Sequence, residues 1–342
     1  MSKFNPVQLL PDVLYSRITE MRVNDPDCAF RMAQTRQRPA RLAKDGRLSI
    51  LAADHPGRRA TRVGDDPLCM ADRRDLLARI VRILAAEAAD GLLATIDVIE
   101  ELLILEHELK RSGGPSLLDG RLLIASLNRA GLNGVCWELD DRWSGPTAAA
   151  CQAWNLDGGK ALLRVCDEDP GSLRTLELCV QAIRDLEQFG LPMFLEPLPV
   201  AVQDGKYVLD RRAEALAPLV GVAAALGNSS RRLWLKLPAC PNFEVVSKAT
   251  TLPMVILGGE IAGDRLGFFR QLHSALGAGA NVRGAMIGRN VLYPASGDPL
   301  GPAYAIQALV HARADLDAAM ACMEKAANVP LDVLTRWVGR AG

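Results

Sequence analysis

The sequence predicts an α/β protein in which eight strand–helix units close into a parallel barrel. From residue 48 onward, short apolar runs alternate with longer amphipathic stretches, the pattern of parallel strands joined by helical crossovers. The apolar runs number eight, which is the strand count of a closed (β/α)8, or TIM, barrel. The chain has 342 residues, of which 49% are hydrophobic and 23% charged, so it can bury a large core.

Each predicted strand is a short apolar run bounded by turn-forming or charged residues. In chain order the predicted strands are 48–54, 91–96, 122–126, 161–165, 192–196, 233–237, 254–257 and 284–287. Helices are expected between them, most clearly at 72–89 and 172–189, where apolar residues recur on one helical side. We expect the barrel and its closing helices to occupy residues 46–342. Residues 1–45 are predicted to form an N-terminal helical extension.

Composition argues against several kinds of partner. The 40 basic and 40 acidic residues give no net positive field for a nucleic acid. No segment has about eighteen uninterrupted apolar residues, so no membrane span is predicted. The eight cysteines form no CxxC pair and are typical of reduced core thiols. A cytoplasmic protein is therefore expected.

Polar residues follow several predicted strands. Functional residues of a parallel barrel gather at the carboxyl ends of its strands. Asp54 and His55 follow the first predicted strand, Glu196 ends the fifth, 258–260 follow the seventh, and Gly288 and Arg289 follow the eighth. The sequence therefore predicts one polar site at this end of the barrel.

Lys236 lies in the apolar run Leu233–Pro238, where a charged side chain is unusual. Burial on a hydrophobic strand disfavours the ammonium form and lowers the pKa of the amine. A neutral lysine amine can attack a ketone or aldehyde to form a Schiff base, which serves as an electron sink for breaking or making a carbon–carbon bond. The alternative is that Lys236 stands at a strand end and extends to water.

Lys160 lies just before the fourth predicted strand. If Lys160 and Lys236 both point into the barrel, their mutual repulsion helps to keep one amine neutral. An ordinary surface lysine at a strand start is the alternative.

Two other chemistries are not expected. The four histidines are far apart, and no HxH or HExxH spacing occurs, so no metal site is predicted. The residues after Asp54 lack the GxGxxG pattern of a dinucleotide-binding turn. We therefore expect no cofactor.

Several segments together resemble a known family. They are 160–163 with 167–170, 192–198, 235–238 and 284–291. In this order they resemble the strand motifs of class I (Schiff-base) aldolases of the DeoC/LacD type, which include tagatose 1,6-bisphosphate aldolase. The last segment and Asp54-His55 also resemble archaeal-type fructose-bisphosphate aldolases. The similarity spans roughly residues 48–295 and keeps its order along the chain, which makes it more specific than any single motif.

The resemblance implies a barrel without a metal, with Lys236 as the Schiff-base residue. It places Lys160 close to the nucleophile and the substrate phosphate. Glu196 would be a partner of a lysine or a proton-transfer group. The alternative is that Glu196 forms an ion pair that only stabilises the site. Asp54 would contact a substrate hydroxyl or assist proton transfer in the carbinolamine. His55 would be a second polar contact or a capping residue.

Phosphate recognition is expected at the last two strands. Gly258 and Gly259 would leave backbone amides open, and Arg289 after Gly288 would present a guanidinium. The alternative is that these glycines only make tight turns. One position departs from the family, whose members carry a tyrosine where this chain has Arg164. Arg164 would then recognise a carboxylate or an additional anion. If the tyrosine is the proton donor of the family, another group must donate the proton here.

The expected function is therefore that of a class I aldolase acting on a phosphorylated ketose or keto sugar acid. The alternative is an aldolase-like barrel that has lost its activity and binds sugar phosphates as a binding or regulatory protein. A homo-oligomer is expected from the family, while the substrate stays open.

Overall fold

Eight parallel strands form a closed barrel in the computed structural model, which describes residues 4–259, 264–295 and 297–338. The strands are β1 (Leu48–Ala52), β2 (Gly91–Ala94), β3 (Leu122–Ser126), β4 (Gly158–Val165), β5 (Met193–Gln203), β6 (Lys206–Leu209), β7 (Leu233–Pro238), β8 (Met254–Leu257) and β9 (Val282–Ile287). All except β6 belong to the barrel, and β9 pairs with β1 to close it. The predicted (β/α)8 barrel is confirmed.

Helices connect consecutive barrel strands and precede and follow the barrel. They are α1 (Pro6–Leu9), α2 (Asp12–Asn24), α3 (Cys28–Thr35), α4 (Arg73–Ala85), α5 (Ile96–Arg111), α6 (Ala148–Ala153), α7 (Gly171–Gln188), α8 (Ala213–Ala224), α9 (Phe243–Ser247), α10 (Arg265–Gly277), α11 (Arg289–Leu292), α12 (Leu300–Val310), α13 (Leu316–Cys322) and α14 (Thr335–Val338). Short 3-10 helices cover Pro56–Arg58, Cys69–Ala71 and Met323–Asn328. Helix α4 ends before the predicted residue 89 because Glu87 has a left-handed φ of 56°.

The alternation of side chains along each strand decides which residues enter the barrel. Phe194 belongs to the inner apolar cluster and Trp234 packs against it, so Glu196 and Lys236, two residues further on, point inward as well. On β4, Ala161 belongs to the outer cluster beneath the helices, so its neighbour Lys160 faces the interior. The sequence analysis placed Lys160 just before the fourth strand. In the structure Lys160 is instead the third residue of β4.

Strand β5 extends beyond the predicted end at Glu196 and turns back into β6. The two strands pair antiparallel, with Val200 opposite Leu209. The turn is Asp204-Gly205, with φ angles of 50° and 71°, the conformation that Asp-Gly favours in tight hairpins. This hairpin lies outside the barrel ring at the carboxyl end of the strands.

The segment before β1 closes the amino end of the barrel. Leu42 and Ala43 pack against the inner apolar cluster. The buried Arg36 donates to Oδ2 of Asp157 at 2.8 Å, and Arg38 donates to Oδ1 of the same carboxylate at 2.7 Å. The chain between residues 36 and 43 therefore serves packing and ion pairing at this end.

None of the helices in the described part of the chain is long and apolar enough to cross a membrane. Four of the eight cysteines are buried, whereas Cys136 is exposed, so the expectation of core thiols does not hold for that residue.

Candidate functional site

A cavity of about 510 Å³ opens at the carboxyl end of the barrel strands. All ten residues singled out in the sequence lie on its wall. They are Asp54, His55, Lys160, Arg164, Glu196, Lys236, Gly258, Gly259, Gly288 and Arg289. Closure of the barrel brings them together, because they stand on or just after six of its parallel strands. Glu260, which follows Gly259 in the sequence, lies outside the described residues.

Two lysine amines share one carboxylate oxygen at the bottom of the cavity. Nζ of Lys236 lies 3.0 Å from Oε2 of Glu196, and Nζ of Lys160 contacts the same oxygen. Lys236 is 5% exposed and Lys160 is 1% exposed. Lys236 is therefore not a strand-end residue that extends to water.

Burial lowers the pKa of Lys236, although the nearby Glu196 acts in the opposite direction. Burial and the charge of Arg129 hold the pKa of Lys160 well below its ordinary value. Burial acts to raise the pKa of Glu196, but the two lysines outweigh it and lower that pKa. Because one ionised carboxylate cannot neutralise two ammonium groups, the arrangement favours one neutral amine.

Asp54 forms a second buried ion pair at the bottom of the cavity. It stands two residues beyond β1 and pairs with Arg129, three residues beyond β3. Nζ of Lys160 lies 3.7 Å from Oδ2 of Asp54. Arg129 was missed in the sequence, although it obeys the same rule of lying after a barrel strand.

His55 lies beside Asp54, with 3.9 Å between Nδ1 and the Oδ1 oxygen of Asp54. Burial and the charges of Arg289 and Lys236 hold the pKa of His55 well below its ordinary value, so the ring is neutral at pH 7. Gly288 leaves room for this ring, because a Cβ at that position would come within 2.3 Å of Cε1 of His55.

The turn after β8 forms another part of the wall. Nδ2 of Asn290 donates to the carbonyl of Gly258 at 2.7 Å. Gly259 has a φ of 66°, a conformation that favours glycine, so it makes a tight turn as well as lining the cavity. The guanidinium of Arg211 lies close to it.

Arg164 is buried and bound to the segment between β3 and α6. It donates to the carboxylate and the carbonyl of Glu138 and to the carbonyl of Gly131. Arg58 lies 3.5 Å from the same carboxylate, and Asp141 lies 3.8 Å from Arg164. Burial and the charge of Arg58 lower the pKa of Arg164 to about 10, which leaves it charged at neutral pH.

The described wall of the cavity is strongly cationic, although the whole chain has equal numbers of basic and acidic residues. Seven of its residues carry lysine or arginine side chains: Arg58, Arg129, Lys160, Arg164, Arg211, Lys236 and Arg289. Three carry carboxylates: Asp54, Glu138 and Glu196. A concave site with this excess of positive charge attracts anions.

The hairpin of β5 and β6 supplies an apolar outer wall through Leu198, Val200, Tyr207, Val208 and Leu209. The sequence contained its signal, since the Asp-Gly dipeptide stands between two β-rich segments. No group of three or more metal-ligating side chains occurs among residues 4–259, 264–295 and 297–338.

Solved structures share the fold. A Schiff-base-forming fructose-1,6-bisphosphate aldolase is 21% identical, with a TM-score of 0.58 over 83% of this chain and 100% of its own. A fructose-bisphosphate aldolase from Slackia heliotrinireducens is 18% identical, with a TM-score of 0.64 over 95% of this chain and 96% of its own. The chain thus has an aldolase-like barrel. No curated protein matches the sequence.

A nearer similarity comes from Cgl0159 of Corynebacterium glutamicum (Brevibacterium flavum). Its crystal structure is 35% identical in sequence and has a TM-score of 0.81, covering 88% of this chain and 97% of its own. The model of the Cgl0159-like family matches residues 46–308. The chain therefore belongs to the Cgl0159-like family.

Proposed function

We propose that the protein is a class I aldolase that breaks or forms a carbon–carbon bond of a phosphorylated ketose or keto sugar acid. The observation that carries this proposal is the buried pair Lys160 and Lys236, which share Glu196 in a cationic cavity. A neutral amine and an anion-binding wall are the two things that Schiff-base chemistry on a sugar phosphate requires.

In the proposed reaction the neutral amine of Lys236 adds to the substrate carbonyl, and the carbinolamine loses water to give an iminium ion. A base takes the proton of the hydroxyl β to the carbonyl, and the carbon–carbon bond breaks. Its electron pair moves into the iminium to form an enamine, and an aldehyde leaves. The enamine then regains a proton, and water releases the second product and restores the amine.

Glu196 is proposed to move protons in the carbinolamine steps, because its carboxylate lies 3.0 Å from the amine of Lys236. Asp54 is proposed to contact a substrate hydroxyl. Gly258, Gly259 and Arg289 are proposed to bind phosphate, with His55 as a neutral polar contact. Recognition of a further anion by Arg164 stays a prediction, since this guanidinium already pairs with Glu138. Unchanged affinity for an anionic substrate in Arg164→Ala would contradict it.

The test is to trap the Schiff base. The protein is incubated with dihydroxyacetone phosphate or another keto phosphate, reduced with borohydride and digested for mass analysis. We expect an adduct on the Lys236 peptide, none there in Lys236→Met, and the same adduct in Lys248→Met, which removes an exposed lysine as the matched control. The proposal would be refuted by the absence of an adduct with a panel of keto phosphates, or by an adduct on another lysine only.

The substrate can then be narrowed by a retro-aldol screen with triose phosphate release as the readout. The candidates are ketose 1,6-bisphosphates, ketose 1-phosphates, deoxyribose 5-phosphate and deoxy-keto sugar acid phosphates.

A binding or regulatory protein is the second candidate function. It is favoured by Arg164, which occupies the place where the aldolases resembled carry a tyrosine that could donate a proton. An adduct on Lys236 without turnover of any of these compounds would support this candidate.

A further inference from the structure

We propose that Arg129 is a positioning residue that withholds Asp54 from the two lysines and thereby leaves one amine without a counter-charge. Under the proposed function, this amine is the one that attacks the carbonyl. The inference rests on that function, but the property it concerns can be measured without any substrate.

The charges at the bottom of the cavity do not balance. Three cations and two carboxylates are buried there together: Arg129, Lys160, Lys236, Asp54 and Glu196. Burial lowers the pKa of Arg129, but a guanidinium is still charged at neutral pH, so Arg129 occupies one carboxylate. That carboxylate is Asp54, its ion-pair partner. Glu196 alone then remains for two amines, and one proton is easily lost.

The surrounding charges do not correct this imbalance. Further out, two arginines face two carboxylates, Arg58 and Arg164 against Glu138 and Asp141. His55 is neutral, and Arg289 adds positive charge near it. The charge of Arg129 lowers the pKa of both lysines, in agreement with the geometry.

Replacing Arg129 by a neutral residue has a definite expected sign. In Arg129→Met, Asp54 is released to pair with Lys160, which lies 3.7 Å away. The carboxylate of Glu196 then pairs with Lys236 alone. Both amines gain a full counter-charge, so their pKa values rise. In Asp54→Asn the guanidinium stays and loses its partner, so the pKa of each amine falls.

The experiment is competitive acetylation of the whole protein with a trace of acetic anhydride across a pH series, read as the labelled fraction of the Lys160 and Lys236 peptides. The midpoint of labelling follows the pKa of each amine. We expect the Lys236 midpoint to rise by about one pH unit or more in Arg129→Met and to fall in Asp54→Asn. The double variant should return to near the wild-type midpoint, because the pair contributes little net charge.

Arg129→Lys keeps the positive charge and should keep a midpoint close to that of the wild type. A merely structural role would lower the melting temperature without moving the midpoints in opposite directions, so circular dichroism and melting are recorded for each variant. If Arg129→Met fails to fold, Asp54→Asn still tests the sign of the midpoint shift, and Arg129→Lys remains its charge-conserving control.

An unchanged or lowered midpoint in Arg129→Met, or a raised one in Asp54→Asn, overturns the inference. The outcome is separable from that of the proposed function. Shifted midpoints with no borohydride adduct refute the aldolase and leave the inference standing. An adduct on Lys236 with unmoved midpoints supports the aldolase and refutes the inference.

Discussion

Glu196 is the residue on which the proposed chemistry of the site depends most directly, because its oxygen contacts both amines. Neither amine can reach a second carboxylate as closely among the described residues, since the nearest further contact is the 3.7 Å approach of Lys160 to Asp54. Glu196 is therefore the closest counter-charge of both amines, and its proposed role in proton transfer depends on this position.

Glu196→Gln tests that dependence. The amide keeps the shape of the side chain but cannot accept a proton, so we expect the borohydride adduct on Lys236 to form more slowly and carbon–carbon cleavage, which depends on it, to fall by about 10²–10⁴-fold. Single-turnover kinetics measure the cleavage step. Glu187→Gln on α7 is the matched control, because that carboxylate pairs with Arg231 at the protein surface and should leave turnover unchanged. Full cleavage activity in Glu196→Gln would contradict a role in proton transfer.

At the scale of elements, the hairpin of β5 and β6 is the feature that extends the wall of the cavity beyond the barrel strands. A side-chain hydrogen bond joins it to the loop after β4, where the hydroxyl of Tyr207 donates to Asp169. This hydrogen bond raises the pKa of Tyr207 to about 12, so the phenol remains a donor at neutral pH.

Tyr207→Phe should loosen the hairpin without unfolding the barrel. A single hydrogen bond contributes about 1 kcal/mol, so we expect KM to rise several-fold while kcat and the melting temperature change little. Steady-state kinetics and a melting curve measure the two effects. Tyr304→Phe on α12 removes a hydroxyl elsewhere and serves as the control. A lost kcat with an unchanged KM would instead place Tyr207 in the chemistry.

The amino end of the barrel supplies a second element-scale test. Asp157 accepts from Arg36, from Arg38 and from the backbone N–H of Leu123 at 2.8 Å. Asp157→Ala would leave the buried guanidinium of Arg36 with the carbonyls of Arg121 and Asn155 but without its carboxylate partner, which costs about 3–5 kcal/mol of unfolding free energy. Urea unfolding measures the loss.

The control for Asp157→Ala is Glu20→Ala, which breaks the exposed pair with Arg17 and should cost less than about 1 kcal/mol. Equal losses in the two variants would show that burial does not govern the contribution of the Asp157 cluster.

At the scale of the whole molecule, His311 joins three distant parts of the chain. At the end of α12, its ring lies 2.8 Å from Oδ2 of Asp45, before β1, and 3.0 Å from Oδ2 of Asp90, before β2. The hydrogen bond with Asp90 overcomes burial and, with Asp45, raises the pKa of His311 to about 9.

Because the pKa is raised on folding, the stability that His311 adds is fully present below about pH 6.5. It is lost as the pH rises through about 9. We expect a loss on the order of 1–2 kcal/mol in unfolding free energy between pH 6 and pH 9.5, measured by urea unfolding. His311→Gln should show a correspondingly smaller loss over the same interval. Identical pH dependence in the two proteins would contradict the role of His311.

The alternation of apolar and amphipathic segments by itself determined the barrel, because strand and helix periods are local properties of the chain. The strand ends then located the candidates at Asp54, His55, Glu196, Gly258, Gly259, Gly288 and Arg289. Lys236 was found by its charge within an apolar run, and Lys160 and Arg164 by their places at the fourth predicted strand and by the family resemblance. The hairpin was missed, although Asp204-Gly205 marks it, because β5 runs on past Glu196 and two prolines.

Only the tertiary structure decided how the charges pair. Glu196 and Lys236 are 40 residues apart, and Asp54 and Arg129 come from strands whose neighbours are fixed only when the barrel closes. Local sequence shows that a lysine lies in an apolar run, but whether its charge is compensated depends on carboxylates that distant segments bring within a few ångströms.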